Sequence, residues 1–269
     1  MRIALAQFAA GPAKETNLRR MLDLTADAVR AGASMVLFPE CSMARLPPEL
    51  SLEPVAEPVD GPFVSALAEG ARRHQLTVVA GVYESIPGDD HVFNTVVALD
   101  AEGALLGAYR KVHLFDAFGY RESDRMRQGD GGTLLFSVGG TVFGVETCYD
   151  VRFPELSRHL AVSGAEVILL PAAWVHGPLK ESQWEVLVRA RAIENTVYVA
   201  AAGLVGRPHS GCSMLVDPMG VPVVRAGEVE ALAVGEIDLQ RLQAVRRVNP
   251  SLEHTRPEIY ARWRPVVTA

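Results

Sequence analysis

The chain has 269 residues, 49% hydrophobic and 22% charged, which is enough to bury one large core and lies near the upper size of a single domain. Its formal net charge of −6, with no long run of Lys or Arg, excludes an electrostatic footprint for nucleic acid or an anionic membrane and leaves a small molecule as the expected partner. Three cysteines, Cys41, Cys148 and Cys212, are too few and too scattered for a disulfide framework, so reduced thiols are expected.

The opening Met1-Arg2-Ile3-Ala4-Leu5-Ala6-Gln7-Phe8 is an apolar run too short for a secretory signal. No window of about 18 apolar residues is uninterrupted, and a cytoplasmic protein is expected. A strand over 2–8, a helix over 17–31 closed by Gly32, and a strand over 35–38 make an α/β opening. A helix over 62–74 precedes strands over 77–83, 93–99 and 105–110, which read as an antiparallel meander. Residues 116–132 are irregular, rich in charge and Gly. Strands over 134–138 and 142–146 flank Gly139-Gly140 as a hairpin. A helix over 154–163, a strand over 167–170, a helix over 181–194 and a strand over 197–202 then restore the alternation. Strands over 213–216, 221–224 and 231–237 close the body, and residues 248–269, carrying Pro250, Pro257 and Pro265, read as an extended tail on one domain spanning 1–269.

Three candidates for chemistry stand just beyond strands: Glu40, Lys111 and Cys148. Ligands gather at such strand ends in α/β sheets. Taken singly, a lone cysteine is most often a buried small hydrophobe, and a lone glutamate or lysine a solvated charge. Together they supply what a thiol nucleophile needs, a base and a nearby cation. Cys41 is the rival nucleophile beside Glu40, although neighbouring extended side chains point apart. His113 with Cys148 would make a papain-like dyad, but nothing else matches a protease signature. The histidines show no metal-ligand spacing, and no metal or organic cofactor is expected.

Three segments appear in order: Leu37-Phe38-Pro39-Glu40, Tyr109-Arg110-Lys111-Val112-His113-Leu114, and Glu146-Thr147-Cys148-Tyr149-Asp150-Val151-Arg152-Phe153-Pro154-Glu155-Leu156. With them the chain resembles the carbon-nitrogen hydrolase, or nitrilase, superfamily over nearly its whole length. The resemblance implies a four-layer α-β-β-α sandwich and a Glu-Lys-Cys triad that maps onto Glu40, Lys111 and Cys148. It also implies a thioester intermediate, an oxyanion held by Lys111 and the Tyr149 N–H, and no cofactor. A second family glutamate matches Glu122 in Arg121-Glu122-Ser123, with the work of holding Lys111.

Within the superfamily, Lys111-Val112-His113-Leu114-Phe115-Asp116-Ala117-Phe118 and Pro171-Ala172-Ala173-Trp174-Val175-His176-Gly177-Pro178-Leu179-Lys180-Glu181 resemble the Nit-type amidases, above all the deaminated glutathione amidases. That implies hydrolysis of a 2-oxo acid ω-amide. Tyr149 is a candidate for contact with the substrate, and Phe115 and Trp174 are candidate apolar walls, the alternative for an aromatic at a strand end being simple core. A carboxylate-bearing substrate calls for a cation besides Lys111, and Lys180, Arg207 and Arg121 are the candidates. An N-carbamoyl amino-acid hydrolase is the alternative enzyme, and an interaction module on the same fold the non-enzymatic one. The resemblance also implies a homodimer or higher homo-oligomer.

Overall fold

The computed structural model describes residues 1–263. Its main strands are β1 (Arg2–Gln7), β2 (Met35–Leu37), β3 (Thr77–Ser85), β4 (Val92–Leu99), β5 (Leu105–Arg110), β6 (Leu135–Val138), β7 (Thr141–Val145), β8 (Val167–Ala172), β9 (Tyr198–Gly203), β10 (Met214–Val216), β11 (Pro222–Arg225) and β12 (Ala231–Glu236). Its longer helices are α1 (Lys14–Arg30), α2 (Pro62–His74), α3 (Pro154–Val162), α4 (Lys180–Asn195) and α5 (Leu239–Val248). One sheet runs β12-β1-β2-β3-β4-β5, with the short strand Met126–Arg127 added on β4, and the other runs β11-β10-β9-β8-β7-β6. In each the three central strands are parallel, β1-β2-β3 and β7-β8-β9, and the flanking pairs antiparallel.

Side chains alternate across each strand, and here both faces are apolar. Ile3 and Leu5 of β1, Met35 and Leu37 of β2 and Val79 of β3 meet Phe143, Val145, Val167, Leu169 and Ala200 of the other sheet. Ala4, Ala6, Val36, Val78 and Ala80 face Met21, Leu24 and Ala28 of α1 and Phe63, Leu67 and Ala71 of α2. On the far side Ile168, Leu170, Val199 and Ala201 face Trp184, Val188 and Ala192 of α4. Two-sided burial explains why the central strands read as continuous apolar runs. The result is the expected four-layer α-β-β-α sandwich.

The 77–110 meander and the 134–146 hairpin are present, the latter turning on Gly139 and Gly140, both at positive φ. Helix α1 starts three residues before position 17, because the Asn17 side chain ties the loop instead of capping. It accepts from Gly11 N–H and donates to Gly11 O and Met43 O. The irregular 116–132 stretch contains the two-stranded turn Asp116–Ala117/Tyr120–Arg121 and a 3-10 turn at Glu122–Asp124. The tail is not extended throughout: α5 reaches Val248, and Pro257–Tyr260 is helical, since Pro is well tolerated at a helix start. Pro265 lies outside the described residues. Among the described residues no helix is long and apolar enough to cross a membrane.

Candidate active site

Glu40 stands where β2 leaves the sheet. The Phe38 N–H bonds Val79 O at 2.8 Å and the Gly81 N–H bonds Pro39 O at 3.3 Å, so the turn stays zipped to β3. Gly81 permits this approach, because a Cβ there would lie 2.7 Å from Pro39 O and 2.8 Å from Glu40 Cα. Lys111 is the first residue past β5, fixed by its N–H to Asn94 O (2.9 Å) and its carbonyl to Gly129 N–H (2.9 Å). Cys148 opens a 3-10 turn, Cys148–Arg152, directly after β7, with φ at +46°. A side-chain-bearing residue in that region is strained and must be held there by its surroundings.

Asp150 does much of the holding. Its Oδ2 accepts from Thr147 N–H (2.9 Å) and Tyr109 O–H (2.7 Å), and its Oδ1 meets His113 N–H (3.0 Å) and Nδ1 (2.7 Å). The His113 ring stacks on Phe153 with centroids 3.7 Å apart. Tyr109 and His113 flank Lys111, so Asp150 clamps the lysine's segment to the cysteine's turn. His113 is thus engaged with Asp150, whereas the group that acts most on the Cys148 thiol after burial is the Glu40 charge.

The Lys111 ammonium, fully enclosed, sits 2.8 Å from Glu40 Oε1 and 2.8 and 3.1 Å from the two oxygens of Glu122. Asn94 Nδ2 donates to Glu40 Oε1 (2.7 Å) and Glu122 Oε1 (3.1 Å). Glu40 Oε2 accepts from Ala173 N–H (2.7 Å), and Glu122 Oε2 from Phe115 N–H (2.7 Å). Burial alone would push Glu40 up, but the Lys111 charge and the bonds from Lys111, Cys148 and Ala173 outweigh it and hold the carboxyl below its usual range. Burial likewise opposes the Lys111 charge, and Glu122, Glu40 and Cys148 overcome it. The Cys148 thiol is pushed well up, by burial first and then by the Glu40 charge, against the pull of Lys111. The group therefore rests as carboxylate, ammonium and neutral thiol.

These residues open onto a cavity of about 710 Å³, within the range of small-molecule sites. Phe115, Tyr149, Trp174 and Lys180 all line it, whereas Arg121 and Arg207 do not. Sequence reasoning missed Asn94, whose signal was a polar pair, Asn94-Thr95, inside a buried strand. It also missed the lining residues Arg45, Arg125 and His209. Cys41 lines the cavity too, and its thiol is pushed up by burial and by the Glu40 charge, against smaller pulls from Tyr83 and Lys111. Among the described residues the one cluster with metal-ligand spacing, Asp89, Asp90 and His91, lies outside the cavity, with Asp89 paired to Arg127.

A family model described as Carbon-nitrogen hydrolase matches residues 2–247. The chain is 38% identical over 258 residues to the deaminated glutathione amidase of Escherichia coli O157:H7, covering 95% of this chain and 97% of that one. It superposes on the NitN amidase of Nesterenkonia sp. AN1 with a TM-score of 0.84 at 29% identity, over 98% of this chain and 100% of that one. A mutant of that amidase, described as showing the Michael addition of acrylamide at its active site cysteine, gives a TM-score of 0.83 at 29% identity over 98% and 100% of the two chains. The chain belongs to the carbon-nitrogen hydrolase family, as a hydrolase acting on carbon–nitrogen amide bonds.

Proposed function

We propose that Cys148 is the nucleophile of an amidase acting on a small carboxylate-bearing amide, such as deaminated glutathione or a related 2-oxo acid ω-amide. Glu40 takes the thiol proton as the sulfur bonds the carbonyl carbon. The oxyanion is stabilised by Lys111 Nζ and by the Tyr149 N–H, one of the amides that a turn leaves without a partner at its start. The C–N bond then breaks, and the departing nitrogen receives the proton from Glu40. A water next gives a proton to Glu40 while its oxygen attacks the thioester. The C–S bond breaks, the acid leaves, and the sulfur recovers its proton. Glu122, bound to Lys111 through both oxygens, keeps the ammonium charged and in place.

The observation that carries this reading is the buried Glu40 carboxylate, 2.8 Å from the Lys111 ammonium, lining the same cavity as the Cys148 thiol on which its charge acts. The likeness to deaminated glutathione amidases supports the substrate class. The test is turnover of deaminated glutathione, 2-oxoglutaramate and an N-carbamoyl β-amino acid by the natural protein and by Cys148→Ala. Hydrolysis of the first two, lost in the variant, is expected. Turnover of the carbamoyl compound alone would overturn the substrate assignment, and turnover surviving in Cys148→Ala would overturn the nucleophile.

A further inference from the structure

Lys180 is only 4% exposed. Its ammonium lies in an aromatic box, 4.4 Å from the Trp174 ring centroid, 4.9 Å from Phe115 and 4.7 Å from Phe118. Among the described residues no carboxylate comes within ion-pair distance. Glu181, next in sequence, is turned to His176 at 2.5 Å. Buried ammonium groups are normally paired, and this one faces the cavity with three aromatic rings against it and no counter-ion among the described residues.

The local structure is built against ordinary preference. Lys180 is the first residue of the 16-residue helix α4, where the helix dipole favours an anion and repels a cation. Leu179 before it takes a left-handed conformation, φ +59°, with its side chain 75% exposed. Gly177 leaves room for the lysine stem, since a Cβ there would lie 2.9 Å from Lys180 Cγ. A second cation, Arg152, stands 5.0 Å from the same Trp174 ring, and its Nε is buried without a partner among the described residues. Burial first, then Arg152, disfavour the charge on Lys180. Local rules broken together at a cavity wall are a mark of binding sites.

We propose that Lys180 takes a carboxylate of the substrate and thereby makes the enzyme prefer acidic over neutral amides. This rests on the amidase reading above. The carboxylate would bond Nζ, sit at the amino end of α4 and feel Arg152, three favourable contacts that a neutral amide lacks.

The test uses Lys180→Met, which keeps the stem in the aromatic box and removes the charge. Its substrates are glutaramate (carboxylate on the acyl side), N-butyrylglycine (carboxylate on the amine side) and butyramide (none). A fall in kcat/KM of about 10- to 100-fold, carried by KM, is expected on one or both acids, with butyramide within about threefold. The acid affected identifies which side of the amide Lys180 reads. Gly177→Ala, which displaces the stem, is expected to shift the same substrate in the same direction. Equal losses on all three substrates, or no loss on either acid, would overturn the proposal. Calorimetry with glutarate and N-acetylglycine on Cys148→Ala and on Cys148→Ala/Lys180→Met decides without turnover. Binding weakened about tenfold or more by the second substitution supports the site, and binding unchanged, or absent from both proteins at millimolar ligand, refutes it. Carboxylate binding without hydrolysis of any amide by the natural protein would count against the amidase reading and leave Lys180 in its role.

Discussion

A thiol beside a carboxylate can rest with its proton on sulfur or on oxygen, and here burial and charge choose sulfur. Cys148 is pushed up and Glu40 held down, so in the proposed mechanism the thiolate forms only as substrate arrives. This differs from a Cys–His pair, in which the thiolate is stored. It gives Glu40→Gln an unusual signature. The amide still accepts the Ala173 N–H, but the variant cannot take a proton, and amide hydrolysis is expected to fall by about 10²- to 10⁴-fold. The same change removes the negative charge that raises the thiol, leaving Lys111 to lower it. Alkylation of Cys148 by iodoacetamide at neutral pH is therefore expected to persist or quicken while turnover collapses. Mass spectrometry of the alkylated peptide reads this directly, and parallel loss of alkylation and turnover would contradict the resting state described here.

At the scale of elements, the site depends on two turns pressed against strands. The Glu40 turn lies on β3 at Gly81, where the atoms in the way of any side chain belong to the backbone of Pro39, Glu40 and Cys41. Backbone cannot swing aside as a side chain can, so Gly81→Ala is expected to displace Glu40. The expected loss is about 1–3 kcal/mol of stability together with most of the activity; a variant with natural kcat would show that the turn adapts. This contact illustrates what the sequence makes legible. The strands were readable because two-sided burial leaves continuous apolar runs, and Glu40, Lys111 and Cys148 were readable because each follows such a run. Their meeting came from the family resemblance. Glu122's surroundings were hidden, because its 3-10 turn is placed by distant partners: Phe115 O accepts its N–H, and Arg125 beside it bonds Pro47 O and Leu50 O. Lys180 was visible as a cation, but only folding shows it buried and Arg121 and Arg207 outside the cavity.

For the whole molecule, two buried carboxyls drive stability in opposite directions with pH. Glu40, held below its usual value, contributes stability that is present above about pH 4.5 and lost as pH falls through its folded value. Glu146 is the reverse case. It is fully buried behind the Cys148 turn, its Oε2 accepts from Ser157 O–H at 2.5 Å, and its Oε1 has no partner among the described residues. Burial foremost, with the Asp150 charge adding to it against the Ser157 bond, pushes it up to about 7. Between pH 4.5 and 7 the folded chain therefore holds a proton that the unfolded chain has released, so stability falls as pH rises through that window and stays reduced above it. Glu146→Gln keeps an acceptor for Ser157 and has nothing to ionise. At pH 5 the variant and the natural protein are expected to unfold at similar denaturant concentrations. At pH 8 the variant is expected to be more stable, by an amount bounded at about 3 kcal/mol from the displacement of Glu146. Urea unfolding across pH 5–8 measures the divergence, and parallel curves for the two proteins would mean that Glu146 finds a partner for its charge in solution.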